Sequence, residues 1–124
     1  MHVPEQIPDH LDFVGRGWHP LLTRLHEQLV AVSPSYSVQQ VKEKYGTLRI
    51  HLYTGMLRHL NLGNTDWPDP DQAARYKDED DAARALVHAA EQESARTCEA
   101  CGNPGVPRDR AWIKTLCDDC AGHR

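Results

Sequence analysis

A chain of 124 residues with 40% apolar and 26% charged side chains supports one modest core, or one core with a small appended module, and is not of disordered composition. Its formal net charge of -4 lacks the basic excess of a dedicated nucleic-acid binder. No run of ~18 apolar residues is present, and the opening MHVPEQIPDHLDFVGRG puts acids and prolines where a secretory signal needs a basic start and an apolar stretch, so a cytoplasmic protein is expected.

Residues 1–17, with Pro4 and Pro8 early and Gly15 and Gly17 late, read as an extended arm whose Leu11, Phe13 and Val14 tuck against the body. A helix follows from about Trp18. Trp18, Leu21, Leu22, Leu25 and Leu29 fall on one helical face. Pro20 suits the first turn, where its missing N–H costs nothing, and Ser33-Pro34-Ser35 stops the helix because the residue before a proline avoids helical geometry.

The segment YSVQQVKEKYGTLRIHLY predicts a β-hairpin. Leu48, Ile50 and Leu52 alternate with Arg49, His51 and Tyr53, and Tyr45-Gly46 supplies the turn. With a two-residue loop, Val41 faces Ile50 and Gln39 faces Leu52 on the buried side. Lys42 then faces Arg49, Gln40 faces His51 and Val38 faces Tyr53 on the other. Residues 54–72 read as a long connection in which Met56, Leu57, Leu60 and Leu62 add a short strand or helical turn. A second helix is expected by Asp80 at the latest, starting as early as Ala73 and running to about Thr97. Asp78, Glu79, Asp80 and Asp81 would crowd its first turn, where negative charge suits the helix dipole, and Asp80 would pair with Arg84.

The C-terminal part carries the one motif with unambiguous chemistry. Cys98 and Cys101 are two residues apart, as are Cys117 and Cys120, with fifteen residues between the pairs. In a reducing compartment such pairs are metal ligands more often than disulfides. Each pair suits a tight turn aiming two thiolates at one ion, Gly102 fits the left-handed position of the first turn, and two such turns make a tetrahedral site. Zinc is the leading reading, with rubredoxin-like iron, disulfides and free thiols as alternatives. Iron is disfavoured because CDDCA lacks the glycine that follows the first pair. Four thiolates close the coordination sphere, so the ion would be structural rather than catalytic. His123 is a candidate substitute ligand. Ala111 to Leu116 alternate as a strand leading into the second pair, giving an α+β body over residues 1–97 followed by a zinc ribbon over residues 98–124 packed upon it.

Charge is unevenly spread. From Asp66 to Asp81 the balance is -5, leaving +1 for the rest. From Tyr36 to Leu60 it is +3, from Lys42, Lys44, Arg49 and Arg58 against Glu43. Lys42, Lys44, Arg49, His51, Tyr53 and Arg58 therefore form the candidate interaction surface. A like-charge cross-strand pair is unfavourable without an anion, which either a partner or the acidic run at 78–81, folded back onto it, would supply. No GxGxxG, P-loop or nucleophile elbow occurs. A catalytic role would need a water-accessible pocket holding His51 beside a carboxylate.

The helix opening at GW, the block QVKEKYGTLRIHLY, and ARTCEACGNPG closing with WIKTLCDDC together resemble a group of small bacterial and phage zinc-ribbon proteins without an assigned activity. The resemblance covers residues 17–124 apart from 54–72. It implies an accessory protein that binds or inhibits a host factor, and supplies no catalytic residues. The expectation is thus a non-enzymatic interaction module with one structural zinc ion and a protein partner, and a nucleic-acid-associated regulator as the alternative.

Overall fold

The structure, a computed structural model, describes residues 5–109 and 111–122. It is α+β, with helices around a two-stranded hairpin and a cluster of four cysteines at its C-terminal end. The chain runs through α1 (His19–Val32), β1 (Ser37–Lys44), β2 (Thr47–Tyr53), α2 (Gly55–Asn61), α3 (Pro70–Ser94), β3 (Val106–Arg108), β4 (Lys114–Leu116) and α4 (Asp118–Gly122). The strands make two antiparallel pairs, β1 with β2 and β3 with β4.

The N-terminal arm is not extended. It winds into two 3-10 turns, Ile7–Phe13 and Arg16–Trp18; Ile7 is buried, Leu11 and Val14 pack against the core as expected, and Phe13 stays exposed. Two latches fasten it. The Ile7 N–H donates to the Tyr36 hydroxyl at 3.0 Å, and the Val38 N–H donates to the Glu5 carbonyl at 2.7 Å. The tyrosine bonds on to His26 Nδ1 at 2.6 Å, so a fully buried phenol has both its donor and its acceptor capacity used.

Trp18, Leu21, Leu22, Leu25 and Leu29 are all buried, as their spacing demands, and join Val41, Leu48 and Ile50 of the hairpin with Ala83 and Ala90 of α3 in one core. α3 packs against both α1 and β2, and Ala83 and Ala90 are its buried apolar side chains. β2 would present an open edge to this helix. The Leu48 N–H instead donates to Ser94 Oγ at 2.9 Å and the Ile50 N–H to Glu91 Oε2 at 2.9 Å, so α3 side chains complete the ladder where a third strand is missing.

The hairpin register follows expectation near the turn and departs from it further on. Val41 faces Ile50, Lys42 faces Arg49 and Gln40 faces His51. A bulge between Val38 and Gln40 then shifts the register, so Val38 faces Leu52 and Gln39 lies exposed rather than on the buried side.

The connection holds a helix, α2, within its first half. α3 starts earlier than expected, at Pro70, with Asp69 as its cap accepting from the Gln72 N–H at 2.9 Å. The acidic run therefore lies in the middle of a helix of 25 residues, not at its first turn. Asp80 does not pair with Arg84. Its carboxylate takes the Thr54 hydroxyl at 2.5 Å, and among the described residues Arg84 pairs with Asp81, at 3.8 Å. The strand before the second cysteine pair is also shorter than its alternation suggests, since Ala111, Trp112 and Ile113 are exposed and only Lys114–Leu116 pair.

Candidate metal centre and hairpin face

Each cysteine pair is held by its own turn. After Cys98 the chain reverses through Gly102, whose φ of +87° is the left-handed geometry glycine favours. The Gly102 N–H donates to the Cys98 carbonyl at 2.8 Å, and the Cys98 N–H to the Asn103 carbonyl at 2.7 Å. In the second turn the Cys120 N–H points at Cys117 Sγ at 3.4 Å. Both turns aim sulfur at one point, and all four Sγ atoms lie within 4.8 Å of one another, with Cys101 and Cys117 at 3.5 Å. Thiolates ~2.3 Å from a shared tetrahedral zinc ion would lie about 3.8 Å apart. The cluster has the size for one metal ion. His123, the substitute ligand considered from sequence, lies outside the described residues.

Electrostatics agree with a site made for a cation. Burial works against charge on Cys98, but hydrogen bonds from the backbone of Cys117, Cys101 and Ala100 outweigh it and draw the thiol down to about 6. The neighbouring sulfurs of Cys117, Cys101 and Cys98 push Cys120 up to about 12. Four sulfurs this close cannot all ionise unless a positive charge sits among them.

The cysteine module is bolted to the body along two seams. On one, Gly17 packs so tightly on the first turn that a side-chain carbon there would collide with the Cys98 carbonyl and the Gly102 nitrogen. The Gly17 N–H donates to the Glu99 carbonyl at 2.9 Å, and the Trp18 indole N–H to the Thr97 carbonyl at 2.9 Å. On the other, Glu99, buried and lying in sequence between Cys98 and Cys101 of the cluster, accepts the Thr115 N–H at 3.1 Å and the Lys114 ammonium at 3.1 Å. The Thr115 hydroxyl then donates to the Gly46 carbonyl at 2.7 Å. The metal site is thus two hydrogen-bonded residues away from the hairpin turn. Neither Glu99 nor Thr115 was marked by sequence reasoning, because their partners are far along the chain.

The turn itself has positive φ at both residues, 55° at Tyr45 and 81° at Gly46, which matches the right-handed twist of the strands. Beyond it, the outer face of the hairpin brings together Lys42, Lys44, Arg49 and His51 of the expected surface, with Tyr53 half-buried at its far end. Among the described residues no carboxylate pairs with Lys42, Lys44 or Arg49. Lys44 instead lies over the Tyr45 ring at 5.6 Å.

Arg58 does not belong to this surface. It forms a close bidentate ion pair with Glu79, largely shielded from water, and stacks near Tyr76 at 5.7 Å. The Ser33 hydroxyl also donates to Glu79. Burial disfavours the Glu79 charge, but the Arg58 and Ser33 hydrogen bonds and the Gly55 N–H outweigh it and hold the carboxyl below the usual glutamate range. The acidic run does fold back, but onto α2 and its cap: Glu79 takes Arg58 and Asp80 takes Thr54, while Asp81 pairs within α3 with Lys77 at 2.8 Å. It leaves the hairpin cations uncompensated.

A cavity of about 310 Å3 opens between β2, α2 and α3, and both His51 and Asp80 line it. They form no acid–base pair, since the Asp80 carboxylate is engaged by Thr54 and no hydrogen bond joins it to His51 among the described residues. No helix is long and apolar enough to cross a membrane, among the described residues. No protein-family model, characterised protein or solved structure matches the chain.

Proposed function

We propose that this protein is a non-enzymatic, zinc-stabilised interaction module of the cytoplasm that holds an acidic segment of a partner protein on the outer face of its hairpin. The observation behind this reading is the direct opposition of Lys42 and Arg49 with no carboxylate paired to either among the described residues. Like charges facing each other across strands are unfavourable, and the chain has acidic residues to spare that it spends elsewhere. A pair left in this state is explained by an anion supplied from outside. Lys44 and His51 extend the same field along the face. Charge of this kind steers association and selects partners more than it adds affinity.

Zinc fits the four-cysteine cluster best. Soft thiolates in a tetrahedral set of this size suit zinc, and a sphere closed by four protein sulfurs has no open position for catalytic water. The ion's role is then to fold residues 98–122 and, through Glu99 and Thr115, to fix the hairpin that carries the cations. An accessory protein that binds a host factor, as the resemblance implies, would work in this way.

The test is capture from the native host with and without nuclease, comparing the wild-type chain with the double variant Lys42→Glu/Arg49→Glu. The expected result is a protein retained after nuclease treatment and reduced by ~tenfold or more with the double variant. Retention that is equal for both proteins would remove the hairpin face from the account. Loss with nuclease would move the face to nucleic acid, whose binding should fall steeply with salt.

A further inference from the structure

The cavity between β2, α2 and α3 adjoins the cationic face, because His51 belongs to both. Its floor is apolar, formed by Ile50, Leu52, Met56, Ala83 and Val87. Two residues bear on its width: Ala83, the smallest side chain on its α3 wall, and Gln39, which the bulge brings to its lining instead of the core. The cavity is open to solvent, and water over an apolar floor is displaced favourably by a fitting side chain.

The rim is selective. Arg84 is exposed, and the one carboxylate paired with it among the described residues, Asp81 at 3.8 Å, is already held by Lys77 at 2.8 Å. Its guanidinium is therefore available to a new anion. Asp80, the acid at the rim, is engaged by the Thr54 hydroxyl. Outside the floor, Leu57 of α2 lines the opening at 55% exposure, an apolar margin able to shield a seated group from water.

We infer that this cavity is the anchor pocket of the interface proposed above: the acidic partner segment carries one large aliphatic or aromatic side chain that seats over Ala83, while its carboxylates meet Arg84 on one side and Arg49 and Lys42 on the other. The inference rests on the acidic-partner reading and adds to it an apolar anchor and a place for it. Residues two apart on a strand are ~7 Å apart, so an extended segment spans His51 and Arg49 with a few residues.

The experiment is selection of a random dodecapeptide phage library on the immobilised, zinc-loaded full chain, followed by affinity measurement on the enriched peptide and on the same peptide with its anchor replaced by alanine. The expected consensus is a large apolar residue flanked by Asp and Glu. Replacing that residue should weaken binding ~tenfold or more, and Ala83→Leu, which fills the pocket, should abolish the difference between the two peptides. The anchor replacement leaves the protein untouched and so reads the pocket even if Ala83→Leu does not fold. Enrichment of acidic peptides with no apolar preference would overturn the anchor pocket and leave the acidic-partner reading standing. Enrichment of apolar peptides without acids, or no enrichment, would overturn both.

Discussion

At the scale of single residues, two positions are constrained in opposite ways, one by its backbone and one by space. Tyr45 sits at φ 55°, a region that a bulky side chain enters at a cost of ~1 kcal/mol or more. It is also 67% exposed, so packing does not hold it there. Tyr45→Asn should therefore raise stability by about 0.5–1 kcal/mol in urea unfolding, and a loss of stability would show that the Lys44 contact outweighs the strain. Gly17 is the opposite case. Its φ is ordinary, and the constraint is space. Gly17→Ala drives a carbon into the Cys98 carbonyl and should cost about 2–4 kcal/mol, seen as a lower Tm with weaker metal retention. Gly46 and Gly102 could be marked from sequence because a turn and a knuckle demand glycine locally. Gly17 could not, because what it meets lies some eighty positions later in the chain.

At the scale of elements, the helices and the hairpin were legible where one period ran unbroken. The α1 face of Trp18, Leu21, Leu22, Leu25 and Leu29 and the Val41–Ile50 register are examples. The start of α3 was misplaced although Asp69-Pro70 carries a cap and first-turn signal, because the acidic run downstream looked like a first turn. The bulge at Gln39 had no signal in composition. Arg58 looked like a surface cation because its partner, Glu79, is on another helix. That pair makes a pH prediction. The Glu79 carboxyl is held below its usual value, so its contribution is fully present above about pH 4.5, and is lost as pH falls through the lower folded value. Glu79→Gln should flatten the acid limb of the stability curve and, by leaving Arg58 with one partner fewer, cost about 1–2 kcal/mol at neutral pH. An unchanged acid limb would mean that Glu79 is not the group being titrated. Ser94→Ala, which strips the Leu48 N–H of its acceptor, should cost a further ~1–2 kcal/mol, and hydrogen exchange at Leu48 would show it as faster opening of the β2 edge.

At the scale of the molecule, the cysteine module and the helical body are one mechanical unit. Gly17 and Trp18 hold the first knuckle, and Thr115 reaches the hairpin turn at Gly46. The cysteine spacing marked the four residues that the structure brings together as a possible metal cluster, and the structure adds that this end supports the face proposed to bind. This coupling makes a prediction that a free-standing ribbon would not. Removing the ion should loosen the hairpin tip as well as residues 98–122, because the Thr115–Gly46 bond depends on the fold of the module.

The most direct measurement is metal content by native mass spectrometry joined to amide hydrogen exchange before and after chelation. One zinc ion per chain is expected, lost together with protection across residues 98–122 and at Gly46 and Leu48, and with the same outcome for Cys117→Ser. A protein with four free thiols and no metal that kept its full melting temperature and an undisturbed hairpin would contradict the account.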